Sequence, residues 1–302
     1  MDQQPAGLYV PLVTPFTAAG QLAPLALEAL AHQMIDAGAA GLVVFGTTGE
    51  HATLTARERR TILDIAARVC RDRSAALIAG AGSHDTQGSL AELRELAAWP
   101  EVSAALTVVP YFTRPSQEGV FAHFAHLAQA SPVPLIIYNV PHRTGQRVGW
   151  QTLRRLAGLP GIAGVKQAVG GIDEDTVRLM ADLPAGFAVL AGDDLFASPL
   201  LALGAAGAIL ASAHVCTEDF AALVTAWRTA DPARARELGG RLAPLSAALF
   251  AEPNPTVIKG VLHAGGRIPS PAVRLPLVPA SPAAVDAARA QLAQLAPLPA
   301  AR

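Results

Sequence analysis

Residues 161–166 read GIAGVK, an apolar, strand-like run that ends on a lysine. Lysine is rare in this chain, because all of its 23 basic residues except Lys166 and Lys259 are arginine. An arginine stays charged and cannot form an imine, whereas a lysine desolvated at the end of a buried strand can lose its proton and attack a carbonyl. The stretch therefore predicts a buried strand with a nucleophilic amine at its end.

The same unit of apolar run, loop and helical stripe recurs along the chain. Eight runs are predicted to be strands: residues 8–13, 41–45, 75–79, 104–109, 135–138, 162–166, 188–191 and 207–210. A helical pattern follows each of them, and one helix has a clear start where Thr55 and Glu58 have the spacing of a capping box. Strands buried on both faces that alternate with helices indicate a parallel sheet, and eight of them indicate a closed (β/α)8 TIM barrel.

The alternation stops after Asp231. We predict that residues 1–230 form the barrel and that residues 231–302 form a C-terminal helical extension packed on it, with two or three helices ending near Ala296. The proline-rich residues 269–282 are predicted to be an ordered connection, because Val273, Leu275 and Leu277 need burial. A total of 302 residues suits one barrel with a short appendage.

Composition and charge exclude several classes of protein. A hydrophobic fraction of 51% with 16% charged residues argues against disorder, and a net charge of -1 without a basic block argues against nucleic acid or a membrane as a partner. Neither a secretory signal nor a membrane-spanning run is evident, so a cytoplasmic location is predicted. Cys70 and Cys216 lack metal-type spacing, and no metal site is predicted.

Polar residues follow the strands where a barrel of this type carries its active site, at the C-terminal strand ends. Thr47 and Thr48 follow the second strand, and Tyr138 ends the fifth with Arg143 in its loop. Lys166 ends the sixth. Two hydroxyls, a phenol, a guanidinium and an amine are thus expected at one mouth.

Each of these residues also has a purely structural explanation. A strand-end lysine can simply emerge into solvent, Tyr138 can be a core residue with a satisfied hydroxyl, and Arg143 can be a solvated loop charge. In the functional interpretation, the residues after the second strand hold a carboxylate through backbone N–H groups and hydroxyls, and Arg143 clamps another with two parallel hydrogen bonds. Asp193 and Asp194 are expected to cap the following helix.

Six motifs together resemble a known family. They are GTTGE at residues 46–50, PYFTRP at 110–115, YNVPHRTG at 138–145, GVK at 164–166, GDD at 192–194 and EPNP at 252–255. Their order and spacing are similar to those of the dihydrodipicolinate synthase and N-acetylneuraminate lyase family, over nearly the whole chain. The resemblance implies a (β/α)8 barrel with a C-terminal helical extension, a homotetramer (dimer of dimers) or homodimer, and a small-molecule substrate, pyruvate or a related 2-oxo acid.

The resemblance also implies roles for single residues. Lys166 is similar to the lysine that forms a Schiff base with the pyruvate keto group, so that no cofactor is needed. Tyr138 matches the acid/base phenol, Thr47 the hydroxyl that links this phenol to a proton relay, and Thr48 the donor to the pyruvate carboxylate. Gly192 and Ile209 fall at substrate-binding positions, and a backbone carbonyl of Ile209 is expected to face the lysine amine.

Within the family, the Arg-Thr-Gly that begins at Arg143 resembles the synthase branch of lysine biosynthesis. There the matching arginine binds the carboxylate of aspartate semialdehyde, the aldehyde condensed with pyruvate. A departure from this pattern lies directly after Tyr111: there the synthases carry a second tyrosine, which reaches across the tight dimer interface, and this chain has Phe112. A phenyl ring preserves packing but carries no proton.

Phe112 keeps alternatives open. One is a paralogue acting on another 2-oxo acid, such as a 2-keto-3-deoxy sugar acid aldolase or dehydratase, or a hydroxy-pyrroline carboxylate deaminase. Another is a non-catalytic binder of 2-oxo acids. Arg143 favours a second carboxylate on the aldehyde, and the intact set of Lys166, Tyr138 and Thr47 argues against a binder without turnover.

Overall fold

A computed structural model describes residues 4–295 of the chain. Within them, eight parallel strands close into a barrel in chain order. They are β1 (Gly7–Pro11), β2 (Gly41–Val44), β3 (Ala76–Gly80), β4 (Val102–Val108), β5 (Leu135–Asn139), β6 (Ile162–Gln167), β7 (Ala188–Ala191) and β8 (Gly207–Ile209). The predicted (β/α)8 TIM barrel is confirmed, because continuous apolar runs suit strands that are buried on both faces.

Helices surround the barrel and continue beyond it. Those of the barrel are α1 (Pro24–Asp36), α2 (Ala56–Asp72), α3 (Thr86–Glu95), α4 (Gln117–Ala130), α5 (Pro141–Thr144), α6 (Trp150–Leu156), α7 (Glu174–Ala181), α8 (Ala197–Ala202) and α9 (Thr217–Arg228). The helices that follow are α10 (Pro232–Leu249), α11 (Thr256–Ala264) and α12 (Pro282–Ala293). The capping box predicted at the start of α2 is confirmed, since Thr55 and Glu58 exchange both hydrogen bonds. Among the described residues, no helix is long and apolar enough to cross a membrane.

Alternation along the strands decides which side chains face the barrel interior. The interior is filled by a cluster that includes Tyr9, Val43, Ile78, Leu106, Ile136, Tyr138, Leu190 and Ile209. In the register of β5 and β6, Tyr138 pairs with Lys166 and Asn139 pairs with Gln167. Because successive side chains point to opposite faces, Tyr138 and Lys166 share the interior face while Asn139 and Gln167 face the helices.

The extension shares an apolar core with the barrel. Val13 and Leu30 come from the barrel side of this core, and Leu245, Val257 and Ile258 come from α10 and α11. A shared core makes the two parts one packed body, and the boundary at residue 230 stays a prediction. The predicted end of the last helix near Ala296 lies outside the described residues.

One prediction about the connection between α11 and α12 is wrong. Leu275 is predicted to be buried, but the residue is 79% exposed. A charged side chain anchors the segment instead: Arg274 donates hydrogen bonds to the carbonyls of Gly20 and Thr53 and to the Glu58 carboxylate. The connection is ordered by polar contacts, which leaves Leu275 free to face outward.

His214 joins the loop after β1 to the loop after β8. Its Nε2 accepts a hydrogen bond from the backbone N–H of Val13 at 3.1 Å, and its Nδ1 lies 2.8 Å from the carbonyl of Ala211. Since a backbone N–H can only donate, the proton of the neutral ring is on Nδ1, which donates to Ala211. Burial lowers the pKa of His214 from 6.5 to about 4.

A pH dependence of stability follows from this buried neutral ring. In the unfolded chain His214 is protonated below pH 6.5, whereas in the folded chain it stays neutral down to about pH 4. The contribution of His214 to stability is therefore full above pH 6.5 and falls as the pH is lowered below 6.5. We expect His214 to account for about 2 kcal/mol of lost unfolding free energy between pH 7 and pH 5. Urea unfolding of wild type and His214→Asn at both pH values measures it. The exposed-histidine control His126→Asn should keep the wild-type difference, and an unchanged difference in His214→Asn would contradict the assignment.

Candidate active site

Lys166 and Tyr138 lie side by side at the carboxyl-terminal mouth of the barrel. The lysine is 7% exposed, and its Nζ lies 4.4 Å from the centroid of the Tyr138 ring. The two residues are direct neighbours in the β5–β6 register and both face the interior. The structure therefore brings together the amine and the phenol that the sequence indicated, and their catalytic roles stay predictions.

Gly192, just after β7, provides the space for this lysine. A Cβ atom added to Gly192 would lie 2.8 Å from Cγ and 2.9 Å from Cε of Lys166. Such distances are too short for carbon atoms, so any side chain at position 192 would displace the lysine. The contribution of Gly192 to the site is room for the amine.

A cavity of about 250 Å³ opens beside this pair. Thr47, Tyr111, Tyr138 and Arg143 are among its lining residues, so four of the predicted site residues meet in one space. Lys166 does not line the cavity, but it contacts the ring of Tyr138, which does. Tyr138 thus contacts both the amine and the open volume.

The other predicted residues lie around this centre. The Thr48 hydroxyl is buried and contacts Asn254, and Ile209 belongs to the interior cluster that contains Tyr138. Phe112 is 89% exposed and has a left-handed backbone with φ of 70°. With Tyr111 and Arg143 it lines an outer opening of about 680 Å³. Phe112 therefore stands at the rim, outside the cavity itself.

The expectation that Asp193 and Asp194 cap a helix is wrong. Asp193 accepts a hydrogen bond from the backbone N–H of Gly170 at 2.6 Å, and Asp194 accepts one from that of Ser212 at 2.5 Å. Asp193 precedes a 3₁₀ turn at residues 194–196 that leads into α8, but no side chain caps the start of either element, because both carboxylates accept from N–H groups of neighbouring loops instead. Burial raises the pKa of both carboxyl groups, that of Asp194 to about 6. The pair joins the loops after β6, β7 and β8.

A buried polar chain behind the lysine was not predicted from the sequence. Asn139 Nδ2 donates to Gln167 Oε1 at 3.0 Å, and Gln167 Nε2 donates to the hydroxyl of Thr176 in α7 at 3.0 Å. These side chains face outward next to Tyr138 and Lys166 and fix the ends of β5 and β6. The sequence did carry a signal, because two amides directly follow the predicted site residues at the ends of apolar runs.

Residues of the extension also reach the mouth. Asn254 Nδ2 donates to the Thr48 hydroxyl at 2.9 Å, and Lys259 Nζ lies 2.7 Å from a carboxylate oxygen of Glu50. Their signals in the sequence were the EPNP motif and the second of the chain's two lysines.

In residues 4–295, no group of three or more His, Cys, Asp or Glu side chains is arranged so that it could hold a metal ion.

A closed (β/α)8 barrel with a buried lysine beside a tyrosine at its carboxyl-terminal mouth has the architecture of class I aldolase-type enzymes, which act on carbonyls through a lysine amine. The chain belongs to the dihydrodipicolinate synthetase family, whose model matches residues 4–295. The resemblance that the motifs predict is confirmed.

Individual relatives agree with the family assignment. The 4-hydroxy-tetrahydrodipicolinate synthase of Moorella thermoacetica is 42% identical over 270 residues, which cover 89% of this chain and 91% of the relative. The chloride-inhibited dihydrodipicolinate synthase of Acinetobacter baumannii, solved in complex with pyruvate, superposes with a TM-score of 0.91 at 34% identity and covers 95% of this chain and 98% of its own. A dihydrodipicolinate synthase described as the first monomeric variant superposes with a TM-score of 0.90 at 30% identity, with 96% of each chain covered.

Proposed function

We propose that this chain is a lyase that condenses pyruvate with aspartate semialdehyde through an imine on Lys166, as a 4-hydroxy-tetrahydrodipicolinate synthase. The observation that carries the proposal is the buried Lys166 amine, 4.4 Å from the ring centroid of Tyr138, beside a cavity lined by Thr47 and Arg143. Relatives that bear the name of this synthase support the choice among family activities.

The proposed chemistry uses only the side chains of the site. The free amine of Lys166 attacks the keto carbon of pyruvate, a C–N bond forms, and water leaves as the imine forms. The imine accepts electrons from the methyl C–H bond, so that loss of a proton gives an enamine. The enamine carbon then bonds to the aldehyde carbon, and the aldehyde oxygen takes up a proton to become a hydroxyl. The amino group of the condensed semialdehyde then replaces the Lys166 nitrogen at the imine carbon, which closes the ring of the product and frees the amine. No cofactor is required for any of these steps.

Proton transfer is assigned to Tyr138. Its phenol is next to the amine and lines the cavity, so it can donate to the leaving hydroxyl and accept the proton back. Thr47 lines the same cavity and is proposed to exchange protons with this phenol. Arg143, at the border of the cavity and the outer opening, is proposed to bind the carboxylate of the aldehyde substrate.

A comparison of substrates tests the proposed function. We expect turnover with pyruvate plus aspartate semialdehyde to exceed turnover with each of a panel of 2-keto-3-deoxy sugar acids. Arg143→Leu should raise the KM for the semialdehyde more than that for pyruvate, because only the former contacts the guanidinium. Faster turnover of a sugar acid would favour a paralogous activity and contradict the proposal.

Phe112 gives a test of the proton path. We expect Phe112→Tyr to raise kcat by roughly 10-fold. This is less than the 10² to 10⁴-fold contribution of a full general acid, because Tyr138 already transfers the proton and the new phenol would only assist it. Steady-state kinetics with both substrates measures the change. Phe112→Leu, which lacks a hydroxyl like wild type, should leave kcat near the wild-type value. An unchanged kcat in Phe112→Tyr would show that this position carries no proton.

We also propose that two copies of the chain meet near Phe112, in a homodimer or in a homotetramer built from such dimers. The side chains of Tyr111 and Phe112 are both exposed at the rim, and a second copy would remove this apolar surface from water. Sedimentation velocity should show a dimer or a tetramer, and a monomer at micromolar concentration would contradict the proposal.

A further inference from the structure

The Thr48 hydroxyl accepts a hydrogen bond from a residue of the C-terminal extension. Asn254, between α10 and α11, donates from Nδ2 to Thr48 Oγ1 at 2.9 Å, and both residues are buried. A threonine hydroxyl has one hydrogen. Because its oxygen already accepts from the amide, that hydrogen points away from Asn254 and is left for another acceptor. The contact thereby makes Thr48 a donor.

Thr48 belongs to the loop from Gly46 to Glu50. The end of this loop, at Glu50, is fixed by a buried ion pair. Lys259 in α11 donates to Glu50 Oε1 at 2.7 Å and to the carbonyl of Thr14 at 2.8 Å, and the side chains of Lys259 and Glu50 are 0% and 1% exposed. The other carboxylate oxygen of Glu50 accepts from the backbone N–H of Arg274 at 2.9 Å. Separating a buried charge from its partner strongly destabilises the folded state. The pair therefore restricts the position of Glu50.

An aromatic ring completes the anchor. Phe16 is fully buried, and its ring centroid lies 4.2 Å from Lys259 Nζ and 4.2 Å from Arg274 Cζ. Thr14 also holds the loop, since its hydroxyl donates to the carbonyl of Gly49 at 2.7 Å. The loop from Gly46 to Glu50 is therefore tied at its middle by Asn254 and at its end by Lys259, both from the extension.

We infer that Asn254 is a positioning residue for the carboxylate of the 2-oxo acid, which it serves by orienting the Thr48 hydroxyl as a hydrogen-bond donor. The inference rests on the proposed function in one respect, that the Thr48 hydroxyl donates to this carboxylate. It makes the extension a part of the substrate site as well as of the shared core. The Lys259–Glu50 pair keeps the loop where the Asn254 amide can reach it.

Borohydride trapping of pyruvate tests the inference without an aldehyde. The measured quantity is the pyruvate concentration that gives half-maximal reduced adduct on Lys166. We expect Asn254→Ala to raise it about 10-fold, the typical effect of one lost hydrogen bond, and the isosteric Asn254→Asp to raise it at least as much, because a carboxylate would accept the Thr48 proton. Ser246→Ala is the matched control: this buried hydroxyl of the extension has no hydrogen-bond partner in the structure, and its loss should change nothing.

A double-mutant cycle separates positioning from a general structural effect. In the Thr48→Val background there is no hydroxyl to orient, so Asn254→Ala should cause no further loss of pyruvate affinity. Independent effects that multiply, or a wild-type value in Asn254→Ala, would overturn the inference. Failure of both Asn254 variants to fold, judged by circular dichroism, would also overturn it by assigning Asn254 a structural role. Absence of any adduct in wild type would instead refute the proposed function.

Discussion

Replacing Lys166 by methionine is expected to lower turnover by at least about 10³-fold, since methionine fills a similar volume but offers no amine to form the imine. Lys166→Arg is the matched variant. It keeps the positive charge, and it should lose as much activity because a guanidinium does not form an imine. The comparison therefore separates the amine from its charge. Steady-state turnover with saturating pyruvate and semialdehyde measures both variants.

Two outcomes would contradict this account of Lys166. One is a methionine variant within about 10-fold of wild-type turnover, which would show that the amine is not the nucleophile. The other is an active arginine variant, which would indicate an electrostatic role. Both variants should be checked by circular dichroism, because Lys166 is buried against Gly192 and the longer arginine has to fit there.

Tyr138→Phe is expected to lower kcat by about 10² to 10⁴-fold, the usual contribution of a general acid or base. The variant keeps the ring beside Lys166 and removes only the hydroxyl, so packing is preserved while proton transfer is lost. Single-turnover trapping should show slower imine formation with the yield at long times retained. The measurement thus reports on rate separately from binding.

A second buried tyrosine supplies the control. Tyr9 also faces the barrel interior, on β1, and it lines an opening that does not include Tyr138 or Lys166. Tyr9→Phe should leave kcat close to wild type. Equal losses in the two variants would mean that a phenol is needed for the barrel itself, and a Tyr138→Phe variant with wild-type kcat would remove Tyr138 from the proposed proton path.

Most of the fold could be predicted from local patterns. Continuous apolar runs and helical stripes report on a few residues at a time, and barrel closure follows from their number and order. The same geometry placed Lys166 beside Tyr138, because both end strands whose carboxyl termini meet at one mouth. The two side chains also have to point into the barrel, and this follows from their pairing in the register of β5 and β6.

Features that the sequence did not predict depend on contacts between distant segments. The bond from Asn254 to Thr48 spans 206 positions, and the pair of Lys259 and Glu50 spans 209. No local pattern distinguishes such a lysine from a solvated one. The misassigned aspartates are a related case, since Asp194 finds its hydrogen-bond donor in Ser212 beyond β8, where no helix-capping rule applies.

The exposure of Leu275 has a similar origin. Hydrophobicity alone indicated burial, but the polar contacts of Arg274 fix the segment and leave the leucine outside. Three carbonyl and carboxylate partners of one arginine come from residues more than 200 positions away. The hydrophobicity of residues 273–277 does not reveal these contacts between distant segments.

The most direct test of the account is reduction of the protein with borohydride in the presence of pyruvate, followed by mass spectrometry of its peptides. The chain provides its own control, because Lys166 and Lys259 are its only lysines and the second is buried in an ion pair. The account predicts a reduced pyruvate adduct on the peptide that contains Lys166 and none on the peptide that contains Lys259. An unmodified Lys166 peptide under the same conditions would contradict it.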